Sequence, residues 1–381
     1  MDLDAFFERI DLQYSQLLPF VVYRKPDTNE VMALLQKDGA LYTTTDYSET
    51  GFVFAPFDDK DAAVLIPLEH SERFSIIPAF GSTTPTDRAG TELKKEELSF
   101  DGQHTTKAFH INLVQQGIDA IKSGNLKKVV LSRRETVMLS DSNPLHIFKG
   151  LLSKYPTAFV YCFYHPKVGT WLGATPETLL KIDGHRFFTA ALAGTQPYKG
   201  ILDVEWQPKE KEEQSMVTNF IVDNLQPLVQ KLKVETVETI KAGSVLHLKT
   251  NISGTLDFNR LSLKQIIRSL HPTPAVCGLP KEEAKRFILE HEHYHREFYT
   301  GFLGELNFKE KRHRNSNRHN AENDAFATIS TVSNLFVNLR CMQLKFDEAI
   351  LYVGGGITID SDPEAEWEET VNKSQTIKSV L

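Results

Sequence analysis

Five runs of residues decide the fold class of this chain. LKKVVLSRRETVML, TAFVYCFYH, TWLGAT, TLLKIDGHRFFTAAL and VLHLKTNISGTL are rich in β-branched and aromatic residues, and turn pairs punctuate them at Asp183-Gly184, Ala193-Gly194 and Ser253-Gly254. They read as strands. Helical patterns interrupt them irregularly, at about 209–232, 280–298 and 363–380. A further helix starts near Thr106, with Phe109, Leu113, Ile118 and Ile121 at helical spacing, and stops at Ser123-Gly124-Asn125. Strand runs broken by helices without a regular β-α-β rhythm predict an α+β fold, a single large domain of antiparallel sheets with helices packed on the outside. Residues 1–104 hold a short helix and runs such as PFVVYR and AAVLIP, and are expected to form a variable N-terminal part of the same fold. The chemistry is expected in 105–381. No internal repeat is present.

At 381 residues the chain can bury a large core, and a net charge of -7 supplies no basic footprint for nucleic acid. The acidic, amphipathic start MDLDAFFERIDLQ is unlike a signal peptide, and no apolar run approaches the length of a membrane span. Cys162, Cys277 and Cys341 are odd in number and far apart, which suits a reducing compartment. The expectation is a soluble, cytoplasmic protein with neither nucleic-acid nor membrane partners.

Two helices carry an unusual acidic pattern. Glu366 and Glu369 sit three apart with Lys373 on the same face, after the glycine run Gly354–Gly356, read as a hinge; Glu210 and Glu213 repeat the spacing far upstream. Neighbouring carboxylates repel, so a repeated arrangement asks for a reason. One is a shared Mg²⁺ held by hard oxygen ligands; the other is a pair of solvated helix surfaces. Counting from Glu213 by three and four reaches Met216, Val217, Phe220, Ile221, Asn224 and Leu225, so the acids continue an apolar stripe, where they are costly unless paired or metal-bound.

Other positions offer single polar groups in apolar settings. In LKKVVLSRRE the alternation puts Lys128 with Val130 and Ser132, a candidate base, although Lys127 could be the inward residue and an edge-strand lysine is the plainer alternative. In GATPE, Pro176 fixes the backbone before Glu177, which is either a partly desolvated general acid or a turn cap. His271 precedes a stiff PTP loop, Tyr299 lies in REFYTGFLGEL, and Arg340 in NLRCMQL is placed to bind a carboxylate. HEHYH at 291–295 matches a zinc-protease motif, with His291 and His295 as ligands and Glu292 as base, but its charged helix reads as surface-facing. DSDPEAEWEE lacks the glycine and the bidentate glutamate of a calcium loop, at Ala365 and Val371. Residues 307–326 read as a long exposed loop whose basic cluster, Lys309 to His319, is a solvated insertion rather than a nucleic-acid or lipid contact.

Taken in order, KKVVLSR, GATPETLL, ALAGT, KEKEEQSMVTNFIVD, HPTPAVCG, REFYTGFLGEL, NLRCM and GGGITIDSDPEAEWEETVNK resemble the chorismate-utilising enzymes, and among them the isochorismate synthases, over roughly 105–381. That resemblance implies a magnesium-dependent, single large catalytic domain acting as a monomer on chorismate and forming isochorismate. It implies Lys128 as the base that activates water and Glu177 as the acid that protonates the departing hydroxyl. Glu210, Glu213, Glu366 and Glu369 match the metal positions, and Thr195, His271, Tyr299, Arg340, Gly355, Gly356 and Lys373 match positions around the substrate. Aminodeoxychorismate-forming relatives use a lysine in PIKGT, where this chain has Ala193, and anthranilate-forming relatives lack the lysine found here as Lys128. Salicylate synthases share base and acid and then eliminate pyruvate, which leaves them as the alternative. Gln214 replaces a histidine common in relatives, beside a metal position, and Ala191 and Cys277 replace a usual proline and glycine.

Overall fold

The computed structural model describes residues 1–78, 106–242, 245–312 and 328–381. In chain order the elements are α1 (Leu3–Ser15), β1 (Phe20–Arg24), β2 (Val31–Gln36), β3 (Tyr42–Thr44), β4 (Gly51–Ala55), β5 (Ala63–Pro67), β6 (Ser71–Ile76), α2 (Lys107–Lys122), β7 (Lys128–Met138), α3 (Pro144–Lys154), β8 (Phe159–His165), β9 (Gly169–Thr175), β10 (Thr178–Asp183) and β11 (Arg186–Pro197). There follow α4 (Pro208–Leu225), β12 (Lys231–Val234), β13 (Glu238–Ala242), β14 (Val245–Thr255), α5 (Leu263–Leu270), β15 (Gly278–Leu279), α6 (Lys281–His291), β16 (Phe302–Arg312), β17 (Thr328–Val337), β18 (Cys341–Lys345), β19 (Glu348–Ile357) and α7 (Pro363–Lys378).

The strands form two antiparallel sheets. One runs β15-β7-β19-β18-β9-β8-β1-β2-β6, the other β12-β14-β11-β10-β17-β16-β4-β5-β3, with β13 also on β14. Their inner faces meet in an aromatic layer that includes Tyr23, Phe54, Phe159, Trp171, Phe336 and Tyr352, all buried. Phe159 stacks on Phe336 with centroids 4.2 Å apart, joining β8 of one sheet to β17 of the other. Helices cover the outer faces: α1 and α3 on the first sheet, α2 and α6 on its other end, and α4 and α5 on the second. This is the expected α+β architecture. The first 78 residues supply β1, β2 and β6 to one sheet and β3, β4 and β5 to the other, so the N-terminal part is woven into both.

Several expected boundaries move, each for a local reason. The helix expected to 232 ends at Leu225, because Pro227 has no amide hydrogen with which to continue the ladder. The helix expected to 298 ends at His291, and the backbone then turns left-handed at His293 (φ 56°) and Glu297 (φ 49°). Residues 307–312, expected in a loop, belong to β16, and 308–312 pair with β17 after a bulge at Asn307; the rest of that segment, 313–326, lies outside the described residues, as does most of its basic cluster. DSDPE is a helix start, with Asp362 accepting from the Ala365 amide at 2.9 Å and Pro363 in the first turn. No helix among the described residues is long and apolar enough to cross a membrane.

Candidate active site

The glycine run is not a hinge. Gly354, Gly355 and Gly356 lie inside β19 and pair with Ser132, Leu131 and Val130 of β7. None has a left-handed φ, so space, not backbone freedom, requires glycine here. A Cβ on Gly356 would lie 2.8 Å from Glu213 Oε1 and 3.0 Å from Lys128 Cε, and one on Gly355 would lie 3.1 Å from Glu366 Oε2. The run is therefore a thin wall with ionisable groups pressed against it.

A cavity of about 170 Å³ opens beside this wall. Glu177, Thr195, Tyr299, Arg340, Gly355, Gly356 and Lys373 line it, together with the carboxylate residues Glu210, Glu213 and Glu369. Lys128 and Glu366 sit just behind its surface. Strand alternation turns Lys128 inward and leaves Lys127 exposed. The Lys128 side chain is fully buried, and its ammonium donates to Glu213 Oε1 at 2.7 Å. His271 stands apart: the cavity does not reach it, and its ring packs edge-on against Phe302 at 5.1 Å. Burial lowers its pKa to about 3, with the Lys281 ammonium adding to the effect, so it is a neutral core residue at pH 7.

Glu177 is shaped by its position. It follows β9 at the strand break made by Pro176, and is only 6% exposed. Burial raises its pKa to about 7, even though Lys128, Arg340 and Lys373 pull in the opposite direction. Among the described residues its carboxyl has no hydrogen-bond partner. Such a group can hold a proton at neutral pH and give it up within the cavity.

Cations ring the acids. Lys373 Nζ donates to Glu369 Oε1 at 2.5 Å and to the Gly354 carbonyl at 2.9 Å. Lys209 Nζ reaches Glu366 Oε1 at 3.2 Å, and Ser361 donates to the same oxygen at 2.7 Å. Burial and the neighbouring Glu369 charge raise the Glu366 pKa against the pull of Lys209. Burial works upward on Glu369 too, but Lys373 outweighs it and holds that carboxyl below its ordinary value. Arg340 adopts a left-handed φ of 49° in the turn between β17 and β18 and donates to Thr376 Oγ1 at 3.1 Å. A non-glycine residue in that region costs on the order of 1 kcal/mol, a strain the surrounding sheet must hold.

The donor set suits a hard cation in chemistry more than in its present arrangement. Glu210 Oε2 and Glu366 Oε2 are buried acceptors with no hydrogen-bond partner, which costs roughly 1–3 kcal/mol each and which a cation would relieve. Glu213, Glu366 and Glu369 meanwhile each have a lysine partner. As the side chains stand, no three metal-ligating groups converge on one point among the described residues.

Among the lining residues that escaped the sequence reading, two carry nitrogen in their side chains. His247 on β14 pairs across the sheet with Thr195 on β11, and its Nδ1 lies 3.0 Å from the Gly194 carbonyl and 3.2 Å from Thr195 Oγ1. Burial, then the Arg340 charge, lowers its pKa to about 4. Lys209, one turn ahead of Glu213, is the other; its i, i+4 spacing was a visible signal, whereas His247 is legible only once the register of β11 on β14 is known. Gly194 sets that register: φ of 72° places it at a bulge, and a Cβ there would meet Glu210 at 3.1 Å. Gln214 is directed away from the acids, donating to the Ala191 carbonyl and Thr250 Oγ1, each at 3.1 Å. It is a core contact between α4 and the sheet.

The HEHYH motif is a structural clasp. Glu292 is buried, not surface-facing, and accepts from Ser132 and from Arg296, which binds it with Nε at 2.8 Å and Nη2 at 2.5 Å. Helix α6 ends at His291, so the two histidines do not share a helix face.

Comparison with known proteins fits this geometry. Residues 76–312 match the family described as chorismate binding enzyme, and residues 329–379 match a second family of the same description. Isochorismate synthase MenF of Pasteurella multocida is 29% identical over 301 residues, 75% of this chain and 64% of that protein. Anthranilate synthase component 1 of Lactococcus lactis is 26% identical over 316 residues, 80% of this chain and 63% of that protein. The matched stretch thus spans just under two thirds of each relative. The solved structure of MenF, the menaquinone-specific isochorismate synthase from Escherichia coli, shares the fold with a TM-score of 0.70 at 21% identity, over 95% of this chain and 88% of that one. The chain belongs to the chorismate binding enzyme family.

Proposed function

We propose that this chain converts chorismate to isochorismate, a hydroxymutase reaction in which water adds at one end of the ring diene and hydroxide leaves from the other. The observation that carries the reading is Glu177: a buried carboxyl whose pKa lies near 7 in the wall of a cavity that Lys128 backs through Gly356. Water addition with hydroxide loss needs a proton acceptor and a proton donor on separate faces of the ring. Lys128, parted from Glu213 and in its neutral amine form, takes the proton of the attacking water on Nζ, and the Glu177 carboxyl gives its own to the departing hydroxyl. Arg340 and Lys373 offer positive charge to the substrate's carboxylates. Neutral His247 adds none, and with Thr195 it provides polar contact on the β11 side. Mg²⁺, when bound by Glu210, Glu213, Glu366 and Glu369, would offset the repulsion between these acids and an anionic substrate.

The relative named anthranilate synthase means that family membership alone does not select the reaction. The presence of Lys128, and of Ala193 where a lysine nucleophile would sit, supports water as the nucleophile. Purified protein incubated with chorismate and Mg²⁺ should form isochorismate, resolved by chromatography, and EDTA should stop it. Absence of turnover would refute the activity, turnover indifferent to EDTA would remove the metal, and salicylate with pyruvate would mark the salicylate-synthase alternative.

A further inference from the structure

A second cavity, of about 260 Å³, lies on the other side of Glu177. Pro176, Glu177, Leu192 and Arg340 line both cavities and form the partition between them. The outer rim of the second cavity includes Asp27, Thr157 and Lys241, which are exposed, while Ala158, Ala174 and Glu177 on its floor are buried. It therefore runs from the surface to the back of the acid. Its volume holds several waters, and its walls bring hydroxyls of Tyr155, Thr157, Thr178 and Thr376 as polar partners for them.

The proposed reaction leaves the enzyme with its protons misplaced. In one turnover a carbon–oxygen bond forms to the attacking water and the bond to the departing hydroxyl breaks; Lys128 Nζ gains the proton that water loses, and Glu177 loses the proton that the departing hydroxide gains. Substrate and product are isomers, so no net proton is consumed. Before the next turnover Lys128 must release a proton to solvent and Glu177 must take one up. While a ring fills the front cavity, that side of Glu177 is covered.

Resting on the isochorismate reading, we propose that the second cavity is the route by which a solvent proton returns to Glu177 while the product ring still fills the front cavity. The charged groups facing Glu177 are Lys128, Arg340 and Lys373, and Lys241, Lys249 and the Asp27 carboxylate line the route itself. Waters and the hydroxyls of Tyr155, Thr157, Thr178 and Thr376 carry the proton inward past these charges.

The test plugs the route without touching the front cavity. Thr157→Trp closes the mouth at an exposed site, and Ala190→Leu narrows the middle at a half-buried one; neither residue lines the front cavity. With enzyme in excess, where each molecule turns over once from its protonated state, both variants should match the unmodified protein. In steady state their kcat should drop several-fold with KM falling in proportion, so that kcat/KM is unchanged, and the slow phase should follow a burst equal to the enzyme concentration. Equal losses in both regimes, or no loss in either, would overturn the proposal. Should the unmodified protein be inert toward chorismate, the activity itself fails; should it be active while plugged variants show no burst, only the proton route fails.

Discussion

At the scale of single residues, burial of the Glu177 carboxyl costs stability. Its folded pKa near 7 lies above the ordinary 4.5, so between those values the folded state binds a proton that the unfolded chain has lost. Stability tied to this group is therefore complete below about pH 4.5, declines as pH rises through that window, and stays reduced above 7. Replacing the carboxyl with an amide removes the titration. Glu177→Gln should be more stable than the parent at pH 8 by on the order of 1–3 kcal/mol, with the gap closing by pH 5, as urea denaturation at the two pH values would reveal. The same variant should lose at least about 10²-fold in turnover, and the parent's rate should fall as pH rises past 7. Turnover in Glu177→Gln close to that of the parent would remove the acid from the mechanism. Lys128→Ala should abolish turnover too, but its buried ion pair with Glu213 means that circular dichroism must show the fold intact before the loss is read as chemical.

At the scale of elements, the sequence showed types better than ends and faces better than partners. Period-2 alternation grouped Lys128 with Val130 and Ser132 but left Lys127 open as the inward residue, and the burial of Lys128 decides between them. It was silent about His247, whose importance comes from lying opposite Thr195 on a strand about fifty residues away, a pairing set by the Gly194 bulge. The glycine run was misread because glycine signals both backbone freedom and close approach, and only the packing of β19 against α4 and β7 shows that the second applies. That distinction is measurable. Alanine at Gly356 meets Glu213 and Lys128 at 3.0 Å or less, while alanine at Gly355 meets the end of a glutamate side chain at 3.1 Å. Gly356→Ala should cost about 10²-fold in turnover through displaced groups, and Gly355→Ala distinctly less, with both variants folded. If the run were a hinge, the two substitutions would be alike and would act through backbone strain.

At the scale of the whole molecule, the cavity lies where the sheets, α4 and α7 meet, and something must hold those pieces in register. Arg296 does much of this. It is buried, donates to the Val130 carbonyl on β7 at 2.7 Å and to the Val276 carbonyl at 2.9 Å, and reaches Thr300 Oγ1 at 3.2 Å; all three acceptors belong to residues in the cavity wall. Its charge is balanced by Glu292, which also binds the Ser132 amide at 2.8 Å. Burying two charges is expensive, and removing one partner strands the other, so Glu292→Gln should destabilise the fold by roughly 3–5 kcal/mol. Replacing both charges should be gentler than the sum of the single losses if charge balance is the cause. The pair also fixes geometry, which packing alone would not. Arg296→Met combined with Glu292→Gln should recover stability in urea denaturation without recovering turnover, since Val130 and Val276 lose their common donor. Additive stability losses, or full activity in the double variant, would show that the cavity wall is held by the sheets themselves.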